Sequence, residues 1–143
     1  MENKSDFHTL KGYQLLEHNQ ITSAMEDYLE MICRLSETQS YIRVGVLADK
    51  LNVKTSSVSK MVQNLKAMRL VDFEKYGYIR LTQKGQEVGE YLIYRHNVLN
   101  RFLCYINQSK DEIEQVEKIE HFLNEETVRN IDVLNHQFEE SGR

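Results

Sequence analysis

Residues 54–66 read KTSSVSKMVQNLK, and residues 71–82 read VDFEKYGYIRLT. The first stretch carries Val58, Met61, Val62 and Leu65 at helical period, which makes one of its faces apolar. The other face opens with Lys54, Thr55, Ser56 and Ser57 and continues with Ser59, Lys60 and Gln63. In the second stretch, β-branched and aromatic residues flank a Lys-Tyr-Gly-Tyr centre, which predicts a short hairpin turning at Gly77. Immediately upstream, Val44, Leu47 and Leu51 predict a short helix, and Asn52 and Val53 turn the chain into the next one. Two short helices, a tight turn and a basic hairpin follow the order of a winged helix-turn-helix.

A recognition helix needs a first turn free of bulk, so that base edges and phosphates come within reach. Lys54, Thr55, Ser56, Ser57, Ser59 and Lys60 meet that need. Hydroxyls, ammonium groups and helix N-terminal amides all suit phosphate oxygens, and Gln63 is placed to read a base edge. In the hairpin, Lys75, Tyr76 and Arg80 are expected along the flanking backbone. The plainer alternative is that the hydroxyls cap a helix and the lysines form a solvated face. The adjoining hairpin and the LTxxG run Leu81–Gly85 favour double-stranded DNA as the partner.

Charge supports this division. The net charge of −4 conceals nine Lys and Arg against three acids in residues 41–84, and three against ten in residues 111–143. The first block suits a polyanion; the second suits cations or solvation. The 143 residues suffice for one compact domain or two small ones. The ordinary 41% hydrophobic and 28% charged content excludes a disordered or fibrous chain. No apolar run approaches the ~20 residues of a membrane span, so no membrane association is expected. Cys33 and Cys104 form no CxxC pair, which predicts a reduced, cytoplasmic protein without a thiolate metal site.

Outward from the basic block the chain reads as helix. Met25, Tyr28, Leu29, Ile32 and Leu35 form a stripe over 22–36. After the hairpin a long helix is expected to turn Val88, Tyr91, Leu92, Val98, Leu99, Phe102, Leu103 and Ile106 inward. Another is expected over 111–123 around Ile113, Val116, Ile119 and Leu123, and a last one over 125–138. Absence of proline and only six glycines agree with this. The predicted fold is mainly α: an N-terminal extension (1–21), a winged helix-turn-helix with a small β-hairpin wing (22–84), and an all-helical domain (85–143).

A second constellation consists of carboxylates and imidazoles. Asp27 and Glu30 are spaced i, i+3; Glu117, Glu120 and His121 are spaced i, i+3 and i+4; His96 edges the apolar stripe of the long helix between them. If those helices converge, four carboxylates and two imidazoles surround one place. Such a cluster repels itself without a cation, and its donors fit Mn²⁺ or Fe²⁺ better than a thiolate metal. Taken separately, the carboxylates also read as solvated helix faces and His96 as a packed histidine.

The segments SAMEDYLEMI, TSSVSKMVQNL, FEKYGYIRLTQKG, LIYRHNVLNRFL and VEKIEHFL, in this order, resemble the diphtheria-toxin-repressor family in its short, two-domain manganese branch. The resemblance runs from Ile21 to about Glu140. It implies metal ligands at Asp27, Glu30, His96, Glu117, Glu120 and His121, two Mn²⁺ ions per subunit, a homodimer built on the C-terminal helices, and DNA repression when metal is bound. Iron-responsive relatives carry methionine where Asp27 stands and cysteine where Glu120 stands; oxygen donors at both points imply Mn²⁺. The chain departs from the family pattern in residues 1–20, where Phe7, Leu10, Tyr13 and Leu16 hint at an extra helix, and at Thr55, where several relatives have proline. It ends after the C-terminal helix with no SH3-like third domain, as that branch does. The expected function is a manganese-activated repressor of manganese-uptake genes, with no organic cofactor. A metal-independent winged-helix regulator is the competing reading. An enzyme is disfavoured, because six ligands fill the positions a substrate needs and no separate nucleophile is present.

Overall fold

A first helix, α1 (Ser23–Ser36), forms because Thr22 caps it, its Oγ1 accepting from the Met25 amide at 3.2 Å. Its stripe buries Met25, Tyr28, Leu29, Ile32 and Cys33. The two-residue strand β1 (Ile42–Arg43) leads into α2 (Val44–Leu51), which stops at Asn52 in the left-handed region, φ 55°. Helix α3 (Thr55–Ala67) follows and buries Val58, Val62 and Leu65. Strands β2 (Val71–Phe73) and β3 (Tyr78–Leu81) make the wing, joined through Gly77 at φ 85°, a conformation glycine adopts freely. The computed structural model describes residues 21–74 and 77–142. The extra helix suggested by Phe7, Leu10, Tyr13 and Leu16 lies outside the described residues, as do Lys75 and Tyr76.

The sheet is antiparallel in the order β1-β3-β2, with Ile42 opposite Ile79 and Asp72 opposite Arg80. Strand β1 was not expected from sequence, since two residues carry no periodicity and only pairing with β3 defines them. The long helix α4 (Gln83–Asn107) starts at Thr82, whose Oγ1 accepts from the Gly85 amide at 3.0 Å and donates to the Arg69 carbonyl at 2.7 Å. One side chain thereby caps the helix and ties it to the end of α3.

The predicted helix over 111–123 is shorter and broken: α5 covers Ile113–Ile119, and Glu120–Phe122 tighten into a 3₁₀ turn. Helix α6 (Glu125–Glu140) is capped by Asn124. Two expected inward residues point out instead, Ile106 at 52% exposure and Ile113 at 45%. Each lies near the end of its helix, beyond the neighbour that covers the rest of the stripe.

The apolar core falls into two clusters. The larger joins α1, α2, α3 and the sheet around Leu29, Ile32, Ile42, Leu47, Leu65 and Ile79. The smaller lies around Leu99, Leu103 and Val116. Helix α1 crosses α4 closely at Gly89, where an added Cβ would come within 2.7 Å of Cys33 Cβ. That close crossing brings the acidic face of α1 to the middle of α4.

Candidate metal centre

Glu26, Asp27 and Glu30 lie on the first two turns of α1, on the face beside its buried stripe. In isolation that face would be solvated, but the α1–α4 crossing sets it against His96 and the 3₁₀ turn. The side chains assemble into two groups, Asp27 with Glu120 and His121, and Glu30 with His96 and Glu117; within each, one donor atom per residue lies within 4.8 Å of the others. All six residues expected from sequence are therefore brought together.

The change from α5 to the 3₁₀ turn explains how the last three divide between the groups. On a continuous helix Glu117, Glu120 and His121 would share one face. Here Glu120 turns fully inward, at 0% exposure, while His121 swings to Asp27. Glu120 Oε1 lies 3.4 Å from His96 Nδ1, and Glu117 Oε1 lies 3.5 Å from the same nitrogen. Glu120 thus belongs to one group and touches the other.

The electrostatics are those of a site suited to a cation. Glu120 Oε2 is buried without a hydrogen-bond partner among the described residues. A buried carboxylate oxygen with no donor is costly unless a positive charge reaches it. The carboxyls of Glu30 and Glu117 are both pushed up, by burial first and by the neighbouring Glu120 next. His96 is pushed up by its hydrogen bond to Glu120. His121 is pushed up to about 10 by hydrogen bonds to Asp27 and Glu26, with Nε2 3.0 Å from Asp27 Oδ1 and Nδ1 2.7 Å from Glu26 Oε1. Protons and the Arg34 guanidinium, 3.0 Å from Glu30, supply the positive charge here. Oxygen-rich donors with imidazole are the set a hard divalent cation prefers, so the residues fit Mn²⁺.

Sequence reasoning missed two residues. Glu26 was passed over beside Asp27, although its i, i+4 spacing to Glu30 placed it on the same face. Arg95 was passed over because arginine is seldom buried, yet it is 3% exposed and pairs with Glu26 at 3.2 Å.

The DNA-reading candidates lie about the start and outer face of α3. Lys54, Thr55, Ser56, Ser57, Lys60 and Gln63 are exposed and Ser59 is half-buried, while Arg80 is exposed on β3. Lys54 occupies the cap position and no side chain caps the helix, so the hydroxyls stand in its first turn rather than serving as the cap. No helix among the described residues is long and apolar enough to cross a membrane.

Residues 20–79 match the family model described as the iron dependent repressor, N-terminal DNA binding domain. Residues 82–142 match the model of that family's metal binding and dimerisation domain. The chain is 41% identical over 124 residues to the HTH-type transcriptional regulator MntR of Oceanobacillus iheyensis, covering 85% of this chain and 84% of the relative. Among solved structures it resembles the manganese regulator SloR, with 31% identity, a TM-score of 0.67 and 77% of this chain covered. A manganese-dependent transcriptional repressor in complex with manganese superposes with a TM-score of 0.71 at 25% identity over 78% of this chain. The chain spans 52% of the length of both solved chains. With both of its halves matched in order and a partly buried carboxylate–imidazole cluster between them, the chain belongs to the iron-dependent repressor family of metal-binding, DNA-binding transcriptional regulators.

Proposed function

We propose that this protein is a manganese-activated transcriptional repressor of manganese-uptake genes, acting in the cytoplasm as a homodimer on a double-stranded DNA operator. The observation that carries the reading is the fully buried Glu120 carboxylate, short of a partner and shared between two donor groups made only of oxygen and imidazole. Asp27, Glu120 and His121 would hold one ion, and Glu30, His96 and Glu117 a second, giving two per subunit. Mn²⁺ bound there supplies the positive charge that lets these carboxylates remain ionised side by side. The likeness to a manganese regulator and the oxygen donors at Asp27 and Glu120 support manganese over iron.

The work is divided between residues 22–84, which read DNA, and 85–143, which dimerise. Asp27 and Glu30 ride on α1, within the DNA-reading part; His96, Glu117, Glu120 and His121 belong to the helical part. Drawing these donors together restricts motion between the parts and sets two copies of α3 one DNA turn apart. Lys54, Thr55, Ser56, Ser57, Ser59 and Lys60 hold phosphates there, Gln63 reads a base edge, and Lys75, Tyr76 and Arg80 follow the flanking backbone.

Metal and operator must then tighten each other's binding by the same factor. The test selects a duplex from a random-sequence pool with Mn²⁺ present and then titrates the metal-free protein with Mn²⁺. Binding should rise with metal and collapse on chelation. Glu30→Ala and His96→Ala should abolish the response while weak non-specific binding persists. A full Mn²⁺ response in both variants would refute the ligand assignment.

A further inference from the structure

Glu26 and Arg95 belong to neither donor group, yet both are packed against His121. The Glu26 carboxylate receives three contacts: Arg95 Nη1 donates to Oε2 at 3.4 Å, Arg95 Nη2 to Oε1 at 3.2 Å, and His121 Nδ1 lies 2.7 Å from that same Oε1. An ionised carboxylate only accepts, so at 2.7 Å the imidazole must be the donor and Nδ1 carries the hydrogen. Arg95 Nη2 is 3.5 Å from Nδ1, which is the spacing of two donors meeting on one oxygen. The other ring nitrogen, Nε2, faces Asp27.

Stability alone is a weak reason to bury Arg95 against a half-buried Glu26. Arg95 is 3% exposed and its Nε has no hydrogen-bond partner among the described residues. A buried ion pair with an unsatisfied donor commonly contributes no more than apolar packing of the same volume. Its placement has another consequence. Arg95 precedes His96 on α4 and Glu26 precedes Asp27 on α1, so the pair links the two helices beside one candidate ligand on each.

We propose that Glu26 and Arg95 are positioning residues for the metal centre: Arg95 holds the Glu26 carboxylate in place, and Glu26, by accepting from Nδ1 of His121, presents Nε2 as the ring's metal-binding nitrogen. The proposal rests on the reading of His121 as a ligand. A carboxylate behind a ligating imidazole fixes its tautomer and its orientation and raises its basicity.

The test measures Mn²⁺ binding to the full-length protein by calorimetry, with melting of the metal-free protein alongside. Glu26→Ala should weaken Mn²⁺ binding by about 10- to 100-fold. Glu26→Gln, whose amide oxygen still accepts from Nδ1, should recover most of that loss, and Arg95→Lys should fall between them. A second measurement uses ¹⁵N-imidazole spectra of the protein loaded with Cd²⁺, which is diamagnetic. Nδ1 should keep its hydrogen while coupling to the metal appears at Nε2 alone, a signature that a purely structural pair would not produce. Should Glu26→Ala fail to fold, these spectra of wild type and Glu26→Gln decide. Metal on Nδ1 overturns the proposal. Wild-type Mn²⁺ affinity in Glu26→Ala while His121→Ala loses binding overturns it alone, leaving the metal centre standing. Wild-type affinity in His121→Ala overturns the metal-centre reading and this proposal together.

Discussion

His121 is doubly protonated at neutral pH, because Asp27 and Glu26 hold its pKa at about 10. A ligating imidazole must be neutral, so under the proposed ligation by His121 Mn²⁺ would have to displace a proton from this ring. Against an unperturbed pKa of ~6.5, competition would be confined to mild acid. The neighbours extend it through neutrality, and Mn²⁺ affinity should climb with pH up to about 10. Calorimetry in buffers of different ionisation enthalpy should detect proton release at pH 7; none would contradict ligation by His121. Metal-free stability runs the other way. A raised imidazole pKa stabilises the fold fully below ~6.5, and this is lost as pH rises through about 10. The metal-free melting temperature should therefore fall over that window. The proposed role of Glu120 in metal preference is tested at the same scale. Glu120→Cys exchanges a hard oxygen for a soft sulfur, so Fe²⁺, Co²⁺ and Zn²⁺ should gain on Mn²⁺ as activators. Operator affinity at fixed free metal, measured anaerobically, would show an unchanged order if Glu120 does not select.

At the scale of elements, the site depends on how closely α1 approaches α4. Gly89→Ala would place Cβ 2.7 Å from Cys33 Cβ and 2.9 Å from its sulfur, so the helices must part. Overpacking of this kind costs about 1–3 kcal/mol, offset by the roughly 1 kcal/mol that alanine gains over glycine inside a helix. Separation also draws Glu30 from His96 and Asp27 from His121, so Mn²⁺ affinity should fall more than stability does. Gly45→Ala on α2, with nothing within 4 Å, is the control and should be neutral or slightly stabilising. Urea unfolding and Mn²⁺ titration check both; unchanged metal affinity in Gly89→Ala would separate the crossing from the site. The 3₁₀ turn at Glu120 is the other decisive element, since it sends Glu120 inward and His121 towards α1.

At the scale of the molecule, apolar side chains stand exposed along the C-terminal helices: Ile106, Phe122, Val133 and Leu134. We expect these side chains to contribute to an association surface, because they lie in the part matched to the family's dimerisation domain. Val133→Asp with Leu134→Asp should convert the protein to a monomer in sedimentation at micromolar concentration. Operator binding should then fall with it, because two half-sites are no longer engaged together. A dimer that survives both charges would place the interface elsewhere.

Most of the architecture was legible in the residues. Helical stripes, the turn at Asn52 and the hairpin at Gly77 are set by periodicity and turn chemistry over a few neighbours, which a linear sequence displays directly. Spacing likewise raised Asp27, Glu30, His96, Glu117, Glu120 and His121 as one cluster, provided their helices met, and resemblance to a family supplied their role. Other features depended on contacts between distant segments. Strand β1 exists only through β3, and the outward turn of Ile106 and Ile113 depends on where neighbouring helices end. Whether α1 presents its acids to solvent or to His96 was decided by a close crossing at one glycine. The partly buried Glu26–Arg95 pair, the orphan oxygen of Glu120 and the division of six donors into two groups come from side chains as many as 95 positions apart in the chain. No local pattern encodes such pairings, because burial and charge compensation are properties of the assembled interior.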